Sequence, residues 1–322
     1  MIKPEIKIKF SFEEKKYAFN QVDFLNKCTP YFSKYGIVVV KENHNVLICQ
    51  HKKLCNLNKP TILIERADSS IVFNQEIRKL AEQKEILAIV KTAITEPLSL
   101  NNCGFNRYHF KVLNESLNLQ QKLNTSETMS EQSLCKIKCL IPYCVQNSFS
   151  DMVKLTIDYK KARNIDVASM FTIWNDPFIK NHRGMIIDHV KKFTNSRTDF
   201  VHNKKEYIKT LLNSKICISP WGWGEVCFRD FEAIYCGCVL LKPNSDHVKC
   251  FPNIFNKYCV YFEPDCSDLE DKINYIINNW DDYIDKRKEA RDFLLSFWDY
   301  EFLASIWAKE IRKLYENYHL CK

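Results

Sequence analysis

The sequence predicts an α/β fold in which two Rossmann-like domains face each other across a cleft. Three observations lead there. The stretch from Lys215 to Pro243, KICISPWGWGEVCFRDFEAIYCGCVLLKP, opens and closes with short apolar runs, Ile216 to Ser219 and Cys238 to Leu241. A loop and a segment of helical periodicity lie between them, an order that reads as a parallel strand, helix, strand crossover. Short apolar runs alternate with helical patterns elsewhere in the chain, and 322 residues sit near the two-domain range. Hydrophobic residues at 46% and charged residues at 27% are ordinary for a folded chain and exclude a disordered one.

In the first half, Ile6, Ile8, Phe10 and Phe12 alternate with polar residues, as a strand would. A helical segment through about Tyr35 follows, then apolar runs at Ile37 to Val40 and Asn45 to His51. Pro60 introduces Thr61 to Ile64, a β-branched run that stops abruptly at Glu65-Arg66-Ala67-Asp68-Ser69-Ser70. A buried parallel strand ending in a charged loop places that loop at the sheet's carboxyl edge, where open α/β sheets bind ligands. A helix around Asn74 to Gln83 and a strand at Ile86 to Val90 follow. Leu113 to Ser133, rich in Asn, Gln and Ser, reads as an exposed loop or lid. Cys139 to Tyr143 reads as the last strand, and Gln146 to Asp151 as a linker.

The second half begins with a strand over Ile165 to Ile173, a turn at Asn175-Asp176-Pro177 and a helix over His182 to Phe193. Arg183 and Gly184 open that helix, as a second phosphate contact or as a solvated basic helix start. Beyond the central crossover, Tyr258 to Phe262 is a strand, and Ser267-x-x-Glu270 has capping-box spacing for the helix to about Trp280. Asp285 to Tyr318 is helical, anchored by Phe293, Phe297, Phe302, Ile306, Trp307 and Ile311.

The chain has six glycines, about 2% against the roughly 7% usual in soluble proteins. Three of them, Gly222, Gly224 and Gly237, fall within sixteen residues of the crossover. Gly237 stands where the helix should end. A two-glycine loop leading into a helix start, with its unpaired N–H groups and positive dipole end, suits a phosphate or diphosphate. Glu225, Arg229 and Glu232 recur at i, i+4 and i+7, on one helix face, with Phe228, Phe231, Ile234 and Tyr235 on the apolar arc. Arg229 offers a bidentate anion contact, and Glu232 an acceptor for two sugar hydroxyls. The plainer alternative is that Arg229 pairs with the two glutamates on the helix surface. Trp221 and Trp223 either stack on a sugar or base, or pack the loop.

The run Ser219-Pro220-Trp221-Gly222-Trp223-Gly224-Glu225, then Phe228-Arg229-Asp230-Phe231-Glu232-Ala233 and Gly237-Cys238-Val239-Leu240-Leu241-Lys242-Pro243, resembles the donor-binding segment of GT-B glycosyltransferases. It is similar to the exostosin-like and group 1 sets. The resemblance implies a glycosyltransferase that moves a hexose or pentose from a nucleotide-activated donor to a glycan acceptor without a metal or other cofactor. It implies donor contacts from Ser219, Gly222, Trp223, Gly224, Glu225, Arg229 and Glu232, with Glu232 on the nucleotide ribose and Arg229 at the diphosphate, and the helix-start reading of Arg183 adds that residue to the donor contacts. It also implies an acceptor-side domain over 1–147, a nucleotide-sugar domain over 148–290, and C-terminal helices over 291–322 that return toward the first. Group 1 retaining enzymes place seven residues between their two glutamates, whereas Glu225 and Glu232 have six between them, so the retaining mechanism does not carry over. For an inverting route the base should come from the first domain. Asp68 is the first candidate, with Glu65 and His109 behind it, and a helix-capping role is its alternative. A nucleotide-sugar epimerase or hydrolase, or a non-catalytic nucleotide-sugar-binding module, would share the fold and the motif.

A net charge of +8 and a pI near 8.7 favour acidic ligands or an anionic membrane surface. No dense basic block or nucleic-acid motif accompanies them, so nucleic acid is not an expected partner. The fifteen cysteines are odd in number and lie mostly within apolar runs, which points to buried free thiols in a reducing compartment. Cys236-Gly-Cys238 and Cys135-x-x-x-Cys139 lack the paired spacing of a metal site. With no secretory core at the N-terminus and no apolar run near 18 residues, the expected location is cytoplasmic, with peripheral membrane association open.

Overall fold

The computed structural model describes residues 4–12, 23–50, 58–65, 69–72, 74–105 and 107–320. The first half is built on a six-stranded parallel sheet. Its strands are β1 (Ile6–Ser11), β2 (Ile37–Val39), β3 (Val46–Gln50), β4 (Thr61–Ile64), β5 (Ile86–Lys91) and, after the short β6 (Ala93–Thr95), β7 (Ile137–Cys139). They lie in the order β2-β1-β3-β4-β5-β7. Every residue of β4 and β5 is buried, the pattern of central strands covered on both faces. Helices α1 (Asp23–Phe32) and α2 (Gln75–Ala81) belong to this half. Asn74 caps α2 by accepting from the Glu76 and Ile77 N–H groups. Next come α3 (Tyr108–Ser116) and the single turn α4 (Glu131–Leu134).

A one-turn helix, α5 (Ser150–Val153), joins the halves. The second sheet contains β8 (Ile165–Ala168), β9 (Ser196–Arg197), β10 (Ser214–Ile218), β11 (Val239–Pro243) and β13 (Cys259–Phe262), all parallel, in the order β13-β11-β10-β8-β9. Its helices are α6 (Pro177–Val190), α7 (Lys204–Leu212), α8 (Phe228–Tyr235), the one-turn α9 (Phe255–Tyr258), α10 (Leu269–Asn278), α11 (Ile284–Ser296) and α12 (Tyr300–Leu320). The predicted crossover is β10, α8, β11, with Ile216 beside Val239 and Ile218 beside Leu241. Gly237 ends α8 at φ +68°: its N–H reaches the Ile234 carbonyl, and the Cys238 N–H reaches that of Ala233. This double bond pattern satisfies carbonyls that the helix itself leaves open.

Several expectations need correction. The segment Gln146 to Asp151 does connect the halves, but not as an exposed linker: Phe149 within it and Met152 just after it are fully buried. The polar lid segment begins as helix, since α3 runs to Ser116. The last strand of the first sheet ends at Cys139, four residues short of Tyr143. Asp268 is the N-cap residue of α10, and Ser267 turns back on Asp265. The helical stretch predicted over Asp285 to Tyr318 breaks between Ser296 and Tyr300, into α11 and α12.

The halves are firmly joined. β12 (Val248–Cys250) from the second pairs antiparallel with β6 from the first, Val248 beside Thr95 and Cys250 beside Ala93. Helix α12 packs back on α1, with Trp307 against Phe24 at 5.7 Å and its indole N–H on the Leu140 carbonyl at 3.0 Å. One hydrophobic cluster runs from Ile8 through Phe149, Phe231 and Tyr235 to Trp307. The described cysteines are free thiols, and burial pushes Cys28, Cys250 and Cys266 up to about 12, so they stay protonated as small hydrophobes. No helix among the described residues is long and apolar enough to cross a membrane.

Candidate functional site

A cavity of about 310 Å³ opens between the halves, beyond the carboxyl end of β10. That is where open parallel sheets carry their ligands. Tyr143 reaches it from the first half. Thr172, Trp174, Arg183, Gly222, Trp223, Gly224, Arg229 and Glu232 line it from the second. Six of the residues chosen from sequence therefore meet in one place: Arg183, Gly222, Trp223, Gly224, Arg229 and Glu232.

Ser219 and Glu225 do not line it. Ser219 is buried in the sheet end, its N–H on the Leu241 carbonyl at 2.9 Å. Glu225 precedes the helix, because α8 starts at Phe228 and Cys227 is its N-cap residue. The stripe at 225, 229 and 232 is thus helical only for its last two members. The start is fixed by Asp230, whose carboxylate accepts the Cys227 N–H at 2.8 Å and pairs with the fully buried Lys242 at 3.0 Å. Glu225 turns the other way, into the first half, where its carboxylate accepts the Ser70 N–H at 3.0 Å and the Ser70 hydroxyl at 2.7 Å. Burial opposes its ionisation, but His109, His247 and Ser70 outweigh that and hold its carboxyl well below the usual carboxylate range.

The cavity wall on α8 carries Arg229 and Glu232. Arg229 donates through Nη2 to the Met170 carbonyl at 3.0 Å and lies over the Phe171 ring at 5.5 Å. Its Nε is buried without a hydrogen-bond partner among the described residues, and no ion pair ties it to Glu225 or Glu232 there. The surface-pairing alternative therefore does not describe it. Tyr207 donates to one oxygen of Glu232 at 2.8 Å. Burial pushes the Glu232 carboxyl up, against the opposing pull of Arg229 and Tyr207. A carboxylate held through one oxygen keeps acceptor capacity on the other.

Arg183 sits in the middle of α6 rather than at its start. The helix begins at Pro177, after Asp176, whose side chain accepts from the Phe178 and Ile179 N–H groups. The predicted Asn175-Asp176-Pro177 turn is this N-cap. Arg183 is buried, donates to the Trp221 carbonyl at 3.2 Å and the Thr172 carbonyl at 2.5 Å, and is pushed down to about 10 by burial. A Cβ on Gly222 would stand 3.1 Å from its Nη2. The glycine lets the loop lie against the guanidinium.

The first-half candidates are placed differently from expectation. Asp68 lies outside the described residues. Glu65 is buried in an ion pair with Lys91 at 2.6 Å and accepts the Asn74 N–H at 3.0 Å. His109 is fully buried, with Nε2 3.1 Å from the Gly222 carbonyl oxygen. Neither Glu65 nor His109 lines the cavity. Sequence reasoning missed Tyr143, Thr172 and Trp174. Trp174 had a signal, a tryptophan just before the Asn175-Asp176-Pro177 segment. It is 48% exposed and meets the Trp223 ring edge-on at 6.0 Å.

Trp223 is also the wall of a second cavity of about 240 Å³, lined by Phe105, Arg107, Gln121, Lys122 and Asn124 of the first half and by Asp176 at the start of α6. Among the described residues no cluster of His, Cys, Asp or Glu could hold a metal ion.

No family model matches the chain. Solved structures do. HepE from Anabaena in complex with UDP-glucose aligns over 96% of this chain and 100% of its own, at 9% identity and a TM-score of 0.50. A glycosyltransferase from Rickettsia africae aligns over 98% of each chain at 12% identity, with a TM-score of 0.49. An alpha-glucosyltransferase in complex with UDP-glucose and DNA containing an abasic site aligns over 90% of this chain and 95% of its own, at 11% identity and a TM-score of 0.44. The two facing parallel sheets with the cavity between them are the GT-B fold.

Proposed function

We propose that the protein is a glycosyltransferase that moves a sugar from a nucleotide-activated donor to a carbohydrate acceptor. One observation carries this reading. The interdomain cavity gathers a two-glycine loop, a helix start, two arginines and a carboxylate, with tryptophan rings at its mouth. Transfer needs the departing nucleoside diphosphate stabilised. The loop N–H groups, the start of α8 and the unpartnered Nε of Arg229 supply positive potential for it. Glu232, fixed by Tyr207, accepts the ribose hydroxyls. These groups meet the charge requirement without a divalent ion, which makes the reaction metal-independent on this reading. The acceptor enters from the side of Trp223, where the second cavity pairs aromatic rings with the amides of Gln121 and Asn124. That mixture suits the apolar faces and hydroxyls of a sugar. The net charge of +8 is compatible with association at an anionic membrane surface.

A ligand that binds only the folded state raises stability by about 2.7 kcal/mol at a hundred times its dissociation constant. A thermal-shift panel of UDP, GDP, CDP, ADP and their common sugars, run in EDTA on the wild type and on Glu232→Ala, is the test. One nucleotide class should stabilise the wild type and fail to stabilise the variant. Equal stabilisation of both would remove Glu232 from the site, and no stabilisation at millimolar ligand would remove the donor reading.

A further inference from the structure

The glycine loop is held by its carbonyls. Arg183 takes the Trp221 carbonyl at 3.2 Å, His109 the Gly222 carbonyl at 3.1 Å and Arg107 the Trp223 carbonyl at 3.1 Å. The Gly224 carbonyl is taken within the loop by the Gly222 N–H at 3.0 Å. Two of these holders, Arg107 and His109, come from the other half of the molecule, at the start of α3. A third first-half residue, Ser70, grips the loop's end through Glu225. A carbonyl oxygen can only accept, so the Nε2 of His109 carries the proton. Its Nδ1 faces the Glu225 carboxylate at 3.1 Å, a second contact with the loop's end, and its ring is wedged between Phe110 and Trp221.

In a trans peptide the C=O and the following N–H point in opposite directions. A hold on the Gly222 and Trp223 carbonyls from the first half therefore turns the N–H groups of Trp223 and Gly224 away from that half's anchors. Both residues line the cavity. We propose that His109 and Arg107 are positioning residues for the donor site: they fasten the glycine loop from across the cleft so that its N–H groups face the diphosphate. The inference rests on the reading of the cavity as a nucleotide-sugar site. It makes the loop's shape a property of both halves, and donor affinity answers to residues that touch no part of the donor.

Titration calorimetry of the full chain with UDP, GDP, CDP and ADP tests it, using whichever binds the wild type. Loss of one directed hydrogen bond behind the loop should weaken binding by about tenfold in His109→Ala. His109→Gln, which keeps an N–H donor near the position of Nε2, should recover affinity to within about threefold. Arg107 is only half-buried, so Arg107→Ala tests the second anchor where His109→Ala fails to fold, and it should also weaken binding about tenfold. A purely structural role would lower the melting temperature of His109→Ala and leave its affinity, and that of Arg107→Ala, unchanged. That result overturns the proposal and spares the donor reading. Failure of all four nucleotides to bind the wild type overturns both.

Discussion

His182 is a fully buried imidazole with no hydrogen-bond partner on either nitrogen among the described residues, packed near Trp221 and Phe262. Burial, helped by the nearby positive charge of Arg183, pushes it down to about 3. The unfolded chain binds this proton near pH 6.5 and the folded chain does not, so the contribution is full above pH 6.5 and is lost as pH falls toward 3. At pH 5 the loss is about 2 kcal/mol. His182→Leu should therefore lose less stability than the wild type between pH 7 and pH 5 in urea denaturation; parallel losses would sink the assignment. Glu225 shows where the residue scale was illegible. Its spacing from Arg229 and Glu232 fits a helix face, and nothing local forbids that. What decides is Asp230, three residues after Cys227, which takes the Cys227 N–H and starts the helix after Glu225. The spacing of a capping box is present, but cysteine is a poor cap residue and hides it. Arg229 and Glu232 were legible because they lie beyond that boundary.

At the scale of elements, the crossover was readable because each of its signals is local. Two short apolar runs, a rare pair of glycines and a third glycine at the helix end all fall within one stretch. Gly237 carries a sharp consequence. At φ +68° a side chain is strained, and a Cβ there would stand 3.0 to 3.2 Å from Arg163, Ile157 and Tyr159. Gly237→Ala should lower stability by about 2 kcal/mol, measured as a fall in the urea midpoint at unchanged slope. A change within 0.5 kcal/mol would show that the backbone relaxes out of this conformation. Pairing of β6 with β12 was not readable. Each is three residues long, and their partners lie more than 150 residues apart. Segments that short carry no usable period, and only the docked halves bring them together. The same holds for the burial of the connecting segment, whose polar residues conceal Phe149 and the adjoining Met152.

The whole molecule is more unified than its two sheets suggest. Its hydrophobic cluster does not divide at the cleft: Phe231 and Tyr235 of α8 pack on Phe149, while α12 returns to α1. Three arginines reinforce this packing by donating to backbone carbonyls. Arg291 ties α11 to Tyr235 and to the junction at Met152, Val153 and Leu155, Arg287 ties it to Gly237 and Tyr159, and Arg312 alone reaches across, from α12 to Pro4, Tyr35 and Gly36 of the first half. Because the Arg312 contacts, the β6 and β12 pair and the anchored glycine loop all cross between the halves, the halves cannot separate without breaking each of them. Unfolding should then be a single transition, with calorimetric and van't Hoff enthalpies in agreement. Trp307 makes the sharper test, being buried between α12 and α1 and bonded to the Leu140 carbonyl. Trp307→Ala should cost about 3–5 kcal/mol and move the whole transition to lower temperature without splitting it. Two resolved transitions in the variant, with only one displaced, would show that the halves fold as separate units and that the return of α12 merely touches the first. A single displaced transition would show that the return of α12 stabilises both halves as one cooperative unit.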